Sequence, residues 1–151
     1  MKIYLDVCCL NRPFDDQTQD RIRLETEAIY TILKKIEVGE FELLNSDIIF
    51  YEVEKILDIT RKHRINCILS LAYQYINLDD EIKNRAHNIQ DFGIKSYDAL
   101  HIASAESAKA TIFLTTDDQL LKKAKNYKTN LKVQVENPLS WIIEVLSHEN
   151  I

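Results

Sequence analysis

The sequence predicts an α/β fold in which helices cover both faces of a parallel sheet. Short apolar segments of strand length alternate along the chain with longer segments whose apolar residues recur at helical spacing. Only two glycines and two prolines occur in 151 residues, and the chain shows neither an internal repeat nor a linker. We therefore expect a single domain over residues 1–151 with a high helical content.

The strands are expected where the apolar segments are short. The first covers Ile3 to Leu5 and ends at Asp6. The other strand candidates, in order, are Phe41 to Leu44, Tyr75 to Leu78, Thr111 to Thr116 and Lys132 to Val135. In an open parallel sheet the ligand site lies beyond the carboxyl ends of the strands.

The helices are expected between those strands. A polar turn over residues 11–16 precedes the first long helix, which begins near Gln17 and is ended by Gly39. The further helices, in order, cover Asp47 to Asp58 behind a Ser46 cap, Ile65 to Ala72, Asp79 to Gln90, Tyr97 to Lys109 behind a Ser96 cap, a segment ending near Asn126, and a final segment from Pro138.

Composition and charge indicate a cytoplasmic protein. No signal peptide and no apolar segment of membrane-spanning length is visible, and the cysteines, Cys8, Cys9 and Cys67, are odd in number without zinc-binding spacing, which favours reduced thiols. The net charge of −5 argues mildly against a nucleic-acid partner. A carboxylate-rich metal site lowers the net charge by itself, however, so charge does not decide the question.

Two of the predicted strands end in an aspartate. Asp6 follows the first strand and Asp117 follows the strand before the Asn126 helix. If these strands are parallel neighbours, both carboxylates point into the same crevice. Asp117 also suits a helix N-cap, whereas Asp6 has no predicted helix directly behind it, so a structural role for Asp6 is harder to supply.

Two further acids lie on helix faces that are predicted to point inward. Glu52 falls on the apolar stripe of its helix, between Ile48 and Ile49. A buried carboxylate needs a cation or a hydrogen-bond donor, although a glutamate at the edge of the stripe can also bend out to water. Asp98 lies in the first turn of an alanine-rich helix, where it either stabilises the helix N-terminus or seeks a partner inside.

The four acids together predict a divalent metal site. Mg²⁺ and Mn²⁺ prefer oxygen ligands and take one or two carboxylates directly, with water filling the rest. Bare carboxylates would repel one another, so a cluster of Asp6, Glu52, Asp98 and Asp117 implies bound cations. Such ions support in-line displacement at phosphorus, although spacing alone indicates this only in part.

The motifs around these acids resemble those of the PIN-domain family, which includes the VapC-like toxin ribonucleases. The resemblance rests on Leu5-Asp6 after the first strand, Ser46 six residues before Glu52, residues 97–103 around Asp98, and residues 114–117 ending at Asp117. It implies an α/β/α sandwich and metal-dependent cleavage of RNA, with these four acids as the catalytic and metal-binding residues. It also implies a homodimer and, for a toxin, an antitoxin partner.

Other residues near the motifs carry less specific signals. Many family members have a polar residue two positions after the first aspartate, where this chain has Cys8, and a thiol is the poorer hydrogen-bond partner; Asn11 or Arg12 is the substitute that the sequence offers. Asp118 is a weaker candidate that suits a helix start, and His101 suits a packed, hydrogen-bonded neighbour better than a substrate contact. Two groups of basic residues fit either an RNA contact or a solvated surface. One group lies between two predicted helices and consists of Arg61, Lys62, His63 and Arg64; the other consists of Lys122, Lys123, Lys125 and Lys128.

Two alternative functions remain open. The first is a catalytically weak or inactive PIN-like module that binds RNA or protein, which Cys8 and the negative charge favour slightly. The second is phosphoryl chemistry of the receiver or haloacid dehalogenase type, which also uses aspartates at strand ends. The dehalogenase type needs a second aspartate two positions after the first, and this sequence has Cys8 there. The receiver type needs a lysine after the last strand, whereas Lys132 begins the last predicted strand.

Overall fold

The fold, described by a computed structural model over residues 1–149, is built around one five-stranded parallel sheet. The strands are β1 Lys2–Leu5, β2 Glu42–Ser46, β3 Gln74–Ile76, β4 Ile112–Leu114 and β5 Gln134–Glu136. Their order is β3-β2-β1-β4-β5, and every neighbouring pair is parallel. The predicted α/β class with a parallel sheet is therefore confirmed.

Within residues 1–149, eight α-helices connect the strands or flank the sheet. They are α1 Val7–Asn11, α2 Asp20–Glu37, α3 Asp47–Glu54, α4 Ile59–Leu69, α5 Asp80–Gln90, α6 Ser96–Ser107, α7 Asp118–Asn126 and α8 Pro138–Glu149. Parallel strands need such crossover connections, which cover the faces of the sheet. None of the helices within residues 1–149 is long and apolar enough to cross a bilayer.

The core lies on both sides of the two central strands. All three residues of β4 are fully buried, and on β1 the residues Ile3, Tyr4 and Leu5 are at most 1% exposed. The Tyr4 ring stacks on Phe113 of the neighbouring strand, with ring centroids 5.2 Å apart. Continuous burial of this kind explains why these strands are apolar throughout instead of alternating.

The segment after β1 is helical, where the sequence suggested only a turn. Asp6 is the N-cap of α1, and its side chain accepts the Val7 backbone N–H. The expectation that no helix lies directly behind Asp6 is therefore wrong. Five residues form too short a helix to show an apolar period, so the capping aspartate is its sole sequence signal.

Most of the other element boundaries also differ from the predicted ones by one or more residues. Helix α3 ends at Glu54, and α4 begins at Ile59 because the Asp58 side chain caps it at Arg61 N; the basic group from Arg61 to Arg64 is thus helical and does not lie between helices. Helix α6 begins at Ser96 itself, behind Lys95, without a side-chain cap. The last strand begins two residues later and ends one residue later than predicted, because Gln134 pairs with Ile112 and Glu136 with Leu114.

Candidate active site

Asp6 lies at the carboxyl edge of the sheet, on its central strand. Its backbone N–H continues the β1–β4 ladder with a 2.9 Å bond to Leu114 O. Its carboxylate accepts one bond from Val7 N and another, of 2.8 Å, from Thr115 Oγ1. The residue is only 7% exposed, so its charge is largely removed from water.

The environment of Asp6 disfavours its negative charge. Burial, and next the charge of Cys8, raises the pKa of Asp6 well above its ordinary value, although His101 and the Thr115 hydroxyl oppose the rise. A buried carboxylate held in this way is stabilised by a cation more than by any neutral partner. This makes Asp6 the strongest single candidate for a metal ligand.

Cys8 occupies the position beside Asp6 where many family members carry a polar residue. Its Sγ lies 3.4 Å from Asp6 Oδ2 and 3.3 Å from Thr115 Oγ1, and Thr116 N donates to it at 3.4 Å. Hydrogen bonding with the Cys9 thiol, and then with Thr115 and Thr116, lowers the pKa of Cys8 to about 6 against the effect of burial. The thiol itself thus makes the polar contacts expected of this position.

Neither of the suggested substitutes for a polar residue at position 8 reaches Asp6. The Asn11 amide donates to Val7 O at 3.1 Å. The Arg12 guanidinium pairs with Glu25 at 2.6 Å and with Asp15 at 3.2 Å. Arg12 therefore serves an ion-pair network next to the site and not the site itself.

Glu52 is held by a chain of hydrogen bonds that runs through the core. His101 Nε2 lies 2.8 Å from Glu52 Oε1, and His101 Nδ1 lies 2.6 Å from Tyr4 Oη. Tyr4 Oη in turn lies 2.7 Å from Ser46 Oγ, which accepts Ile49 N at the start of α3. His101, Tyr4 and Ser46 are fully buried, whereas the Glu52 side chain is 26% exposed.

The direction of the bond to Glu52 follows from the chemistry of its acceptor. A carboxylate can only accept, so His101 Nε2 donates to Glu52. Ser46 Oγ accepts from Ile49 N and shares a second hydrogen bond with Tyr4 Oη, which shares another with His101 Nδ1. Burial raises the pKa of Tyr4 well above its ordinary value, which keeps its hydroxyl protonated. His101, held at its other ring nitrogen by Tyr4, thus fixes the orientation of Glu52.

Glu52, Asp98 and Asp117 line one cleft of about 580 Å³. Asp98, in the first turn of α6, is half-buried, and its carboxylate takes part in none of the hydrogen bonds among residues 1–149. Partial burial, followed by the charges of Asp117 and Glu52, raises the pKa of Asp98, against the opposing effect of His101. Asp6 is not part of the lining, but its charge also interacts with that of Asp98.

Asp117 caps helix α7, as its sequence position suggested, and it also lines the cleft. As the N-cap of α7 it accepts Gln119 N at 2.9 Å and Leu120 N at 3.3 Å, both through Oδ1. Its own N–H donates to Thr115 Oγ1, the hydroxyl that also binds Asp6. Thr115 therefore connects the acids at the ends of β1 and β4.

Asp118 is committed to a different contact. Its carboxylate pairs with both terminal nitrogens of Arg21, at 2.6 Å and 2.7 Å. It is exposed and lies in the first turn of α7, which agrees with the expected helix-start role. It does not line the cleft that contains Asp98 and Asp117.

The donor set suits a hydrated divalent cation better than a closed metal cage. No group of three or more His, Cys, Asp or Glu side chains within residues 1–149 is arranged to hold a metal without rearrangement. Mg²⁺ keeps several waters and uses one or two protein carboxylates, so it does not need such a cage. The cleft offers carboxylate oxygens as ligands, and the Asp98 carboxylate has no hydrogen-bonded partner among residues 1–149. Such oxygen donors fit Mg²⁺ or Mn²⁺.

Two residues of this site escape prediction from the sequence. Thr115 and Tyr4 bind neighbours more than 90 positions away, so no local pattern reveals their partners. A hint exists for Tyr4, since a tyrosine in the middle of a buried apolar strand needs a partner for its hydroxyl. His101 is the packed, hydrogen-bonded neighbour that was expected.

The fold and the site together define a class, namely an α/β protein with carboxylates gathered at the carboxyl edge of a parallel sheet. The PIN-domain model matches residues 3–126, most of the chain. The chain therefore belongs to the PIN-domain family, a family of nucleases. No curated protein matches the sequence significantly.

Solved structures share the fold at low sequence identity. A chain of VapBC2 from Rickettsia felis, bound to a DNA fragment from its promoter, superposes with a TM-score of 0.61 and 16% identity, covering 91% of this chain and 98% of that one. VapBC-1 from nontypeable Haemophilus influenzae gives 0.56 and 15%, covering 91% and 98%. A toxin–antitoxin complex from Klebsiella pneumoniae gives 0.54 and 18%, covering 90% and 97%.

Proposed function

We propose that this protein is a divalent-metal-dependent endoribonuclease, with Asp6, Glu52, Asp98 and Asp117 as its catalytic and metal-binding residues. The observation that carries the proposal is the cleft lined by Glu52, Asp98 and Asp117 beside the buried Asp6. These acids come from four separate parts of the chain. Such a collection of like charges destabilises the metal-free fold, so a function must maintain it.

The four carboxylates would hold Mg²⁺ or Mn²⁺. When bound, the ion supplies the Lewis acidity that activates water and stabilises charge at the phosphate. The chain's own groups supply the positions: Thr115 orients Asp6 and Asp117, and the Tyr4–His101 pair orients Glu52. Asp98 has no hydrogen-bonded protein partner within residues 1–149 and is free to turn toward a cation.

RNA is the proposed substrate because of the family to which the chain belongs, and lysines at the cleft support a polyanionic ligand. Lys55 and Lys95 line the same cleft as the acids. Lys95 lies at the N-terminus of α6, and its charge acts on Asp98. Positive charge at this rim offsets the repulsion between the carboxylates and an incoming phosphodiester backbone.

Cleavage of labelled single-stranded RNA tests the proposal directly. Wild-type protein is expected to cut with Mg²⁺ or Mn²⁺ and not with EDTA, whereas Asp98→Asn and Glu52→Gln are expected to lose activity by about 100-fold or more. The matched control is Glu54→Gln, on the exposed side of the same helix as Glu52, where the carboxylate pairs with Lys62. Equal activity of wild type, Asp98→Asn and Glu52→Gln would overturn the assignment.

A second candidate function is an RNA- or protein-binding module that does not cut. The absence of a pre-arranged metal cage among residues 1–149 favours it. Isothermal titration with Mn²⁺ separates the two functions, because a binding module has no need to bind the ion at Asp98. Heat of binding that disappears in Asp98→Asn supports the nuclease, and no heat in wild type supports the module.

We infer that the protein acts in the cytoplasm as a single-domain toxin with a cognate antitoxin, and that it forms a homodimer. The structural neighbours from three bacteria come from VapBC or toxin–antitoxin assemblies, and the three cysteines of this chain are free thiols. Light scattering on the purified protein gives the oligomeric state, and a monomer at micromolar concentration contradicts the dimer. Growth arrest on expression, absent in Asp98→Asn, tests the toxin role.

A further inference from the structure

Two half-exposed tyrosines and a lysine form a cluster beside the cleft, which Lys55 and Tyr97 of this cluster line. Tyr51 is 50% exposed and Tyr97 is 43% exposed, and their ring centroids lie 6.0 Å apart. Lys55 Nζ lies 4.2 Å from the Tyr51 centroid, 5.0 Å from the Tyr97 centroid and 3.3 Å from Tyr97 Oη. We call Tyr51, Lys55 and Tyr97 the rim cluster.

The rim cluster is fixed to the same two helices that carry the acids. Tyr51 directly precedes Glu52 on α3, and Tyr97 directly precedes Asp98 on α6. Lys55 follows Tyr51 by four residues, so the two side chains share one face at the end of α3. Lys55 and Tyr97 line the same cleft as Glu52 and Asp98, so a ligand phosphate held at these acids lies beside the rim cluster.

Packing does not account for the cluster. Rings that only stabilised the fold would be covered, whereas these two leave about half of their surface in water. Lys55 forms no salt bridge among residues 1–149, although Glu52 and Glu54 are close to it in sequence. An ammonium without a carboxylate partner among residues 1–149, next to rings that are half open to water, matches the two parts of a nucleotide, its phosphate and its base.

We propose that the rim cluster is a nucleotide-binding subsite, in which an unpaired base stacks on Tyr51 or Tyr97 and Lys55 contacts the neighbouring phosphate. The inference rests on the proposed nuclease function and narrows its substrate to single-stranded RNA. A base within a duplex is already stacked and paired, so its face is not available to a protein ring. The subsite would also place the scissile phosphate at the acids by holding the next nucleotide.

Binding of a fluorescent single-stranded RNA, followed by anisotropy, tests the subsite without cleavage. Ca²⁺ replaces Mg²⁺, and a gel confirms that the RNA stays intact. Alanine at the ring that holds the base, Tyr51→Ala or Tyr97→Ala, is expected to weaken binding by about 5- to 150-fold, the loss typical for one base–aromatic stack. Lys55→Gln is expected to lower the salt dependence by about one phosphate contact.

Conservative variants separate stacking from folding. Tyr51→Phe keeps the ring and is expected to bind within about twofold of wild type, since a stack does not need the hydroxyl. Tyr73→Ala is the matched control, because Tyr73 is an exposed tyrosine that is not in contact with the rim cluster among residues 1–149. An RNA that lacks the stacked base (an abasic site) should bind wild type more weakly than intact RNA does. The tyrosine substitution that removes the same stack should then weaken the binding of this abasic RNA no further.

The outcomes distinguish this inference from the proposed function. Cleavage by wild type together with unchanged binding by both alanine variants refutes the subsite and leaves the nuclease intact. Tyrosine-dependent binding without any cleavage supports the subsite and refutes the nuclease. Equal sensitivity of duplex and single-stranded RNA to the variants, or no RNA binding by wild type, also overturns the subsite. Absence of RNA binding by wild type is also the result expected if a protein partner, and not RNA, occupies the rim cluster.

Discussion

Replacement of Tyr4 by phenylalanine tests whether the buried hydrogen-bond chain holds Glu52. The substitution keeps the ring that stacks on Phe113 and removes only Oη. Ser46 Oγ and His101 Nδ1 then lose the group that lies 2.7 Å and 2.6 Å from them. Both residues are fully buried, so water does not replace the hydroxyl.

The structure gives the expected magnitude. Each of the two buried hydrogen bonds that are lost costs ~1–3 kcal/mol, so we expect the free energy of unfolding to fall by roughly 2–6 kcal/mol. Without Tyr4 Oη, His101 loses the group that holds its Nδ1, and Glu52 loses its orientation. A displaced carboxylate is expected to lower kcat by ~10- to 100-fold.

Urea denaturation and RNA cleavage measure the two effects separately. Tyr30→Phe is the control, because Tyr30 is an exposed tyrosine on α2, where the loss of a hydroxyl should change stability by less than ~0.5 kcal/mol. If Tyr4→Phe unfolds at the same urea concentration as wild type and cleaves RNA at the wild-type rate, the buried hydrogen-bond chain through Tyr4 does not position Glu52.

Three further predictions concern the site and the ion-pair network beside it. Glu25, 1% exposed, accepts from Arg12, Arg21 and Asn137, so Glu25→Gln is expected to lower the free energy of unfolding by ~3–5 kcal/mol in urea titration, and a loss below ~1 kcal/mol contradicts a buried ion-pair network. The pKa of Asp98 is raised in the folded protein, so ionisation of Asp98 lowers the stability of the metal-free fold as the pH rises above the pKa of the unfolded state. The variant Asp98→Asn should therefore have a higher Tm than wild type in EDTA at pH 7 but not at pH 3. Mn²⁺ should raise the Tm of wild type more than that of the variant. Because the pKa of Cys8 is about 6, the rate at which iodoacetamide labels Cys8 is expected to rise with pH with a midpoint near pH 6, and labelling that begins only above pH 8 contradicts this. The variant Cys8→Ser keeps a hydrogen-bonding group beside Asp6 and should cleave RNA within about fivefold of the wild-type rate.

The sequence was sufficient for the order of strands and helices because each central strand is a continuous apolar segment. It failed where local signals are short or mixed. Helix α1 has five residues, and α4 buries only Ile65 and Leu69, so its polar first turn resembled a loop. The shift of β5 depends on its pairing with β4, which no local pattern specifies.

The candidate acids were visible in the sequence, but the groups that orient them were not. Strand ends and helix faces indicated Asp6, Glu52, Asp98 and Asp117, because an acid next to apolar residues is locally anomalous. Thr115 and Tyr4 are ordinary residues for buried strands, and their roles arise only when the sheet aligns β1 with β4 and α6 packs nearby. Hydrogen bonds across more than 90 residues are set by topology and not by spacing.

The most direct measurement of the central claim is a crystal structure with Mn²⁺, using its anomalous signal. The account predicts an ion about 2.0–2.2 Å from carboxylate oxygens of Asp98 or Asp6 and bridged, directly or through water, to Glu52 and Asp117. An anomalous peak elsewhere, or none at millimolar Mn²⁺ while these carboxylates keep their metal-free positions, would contradict it.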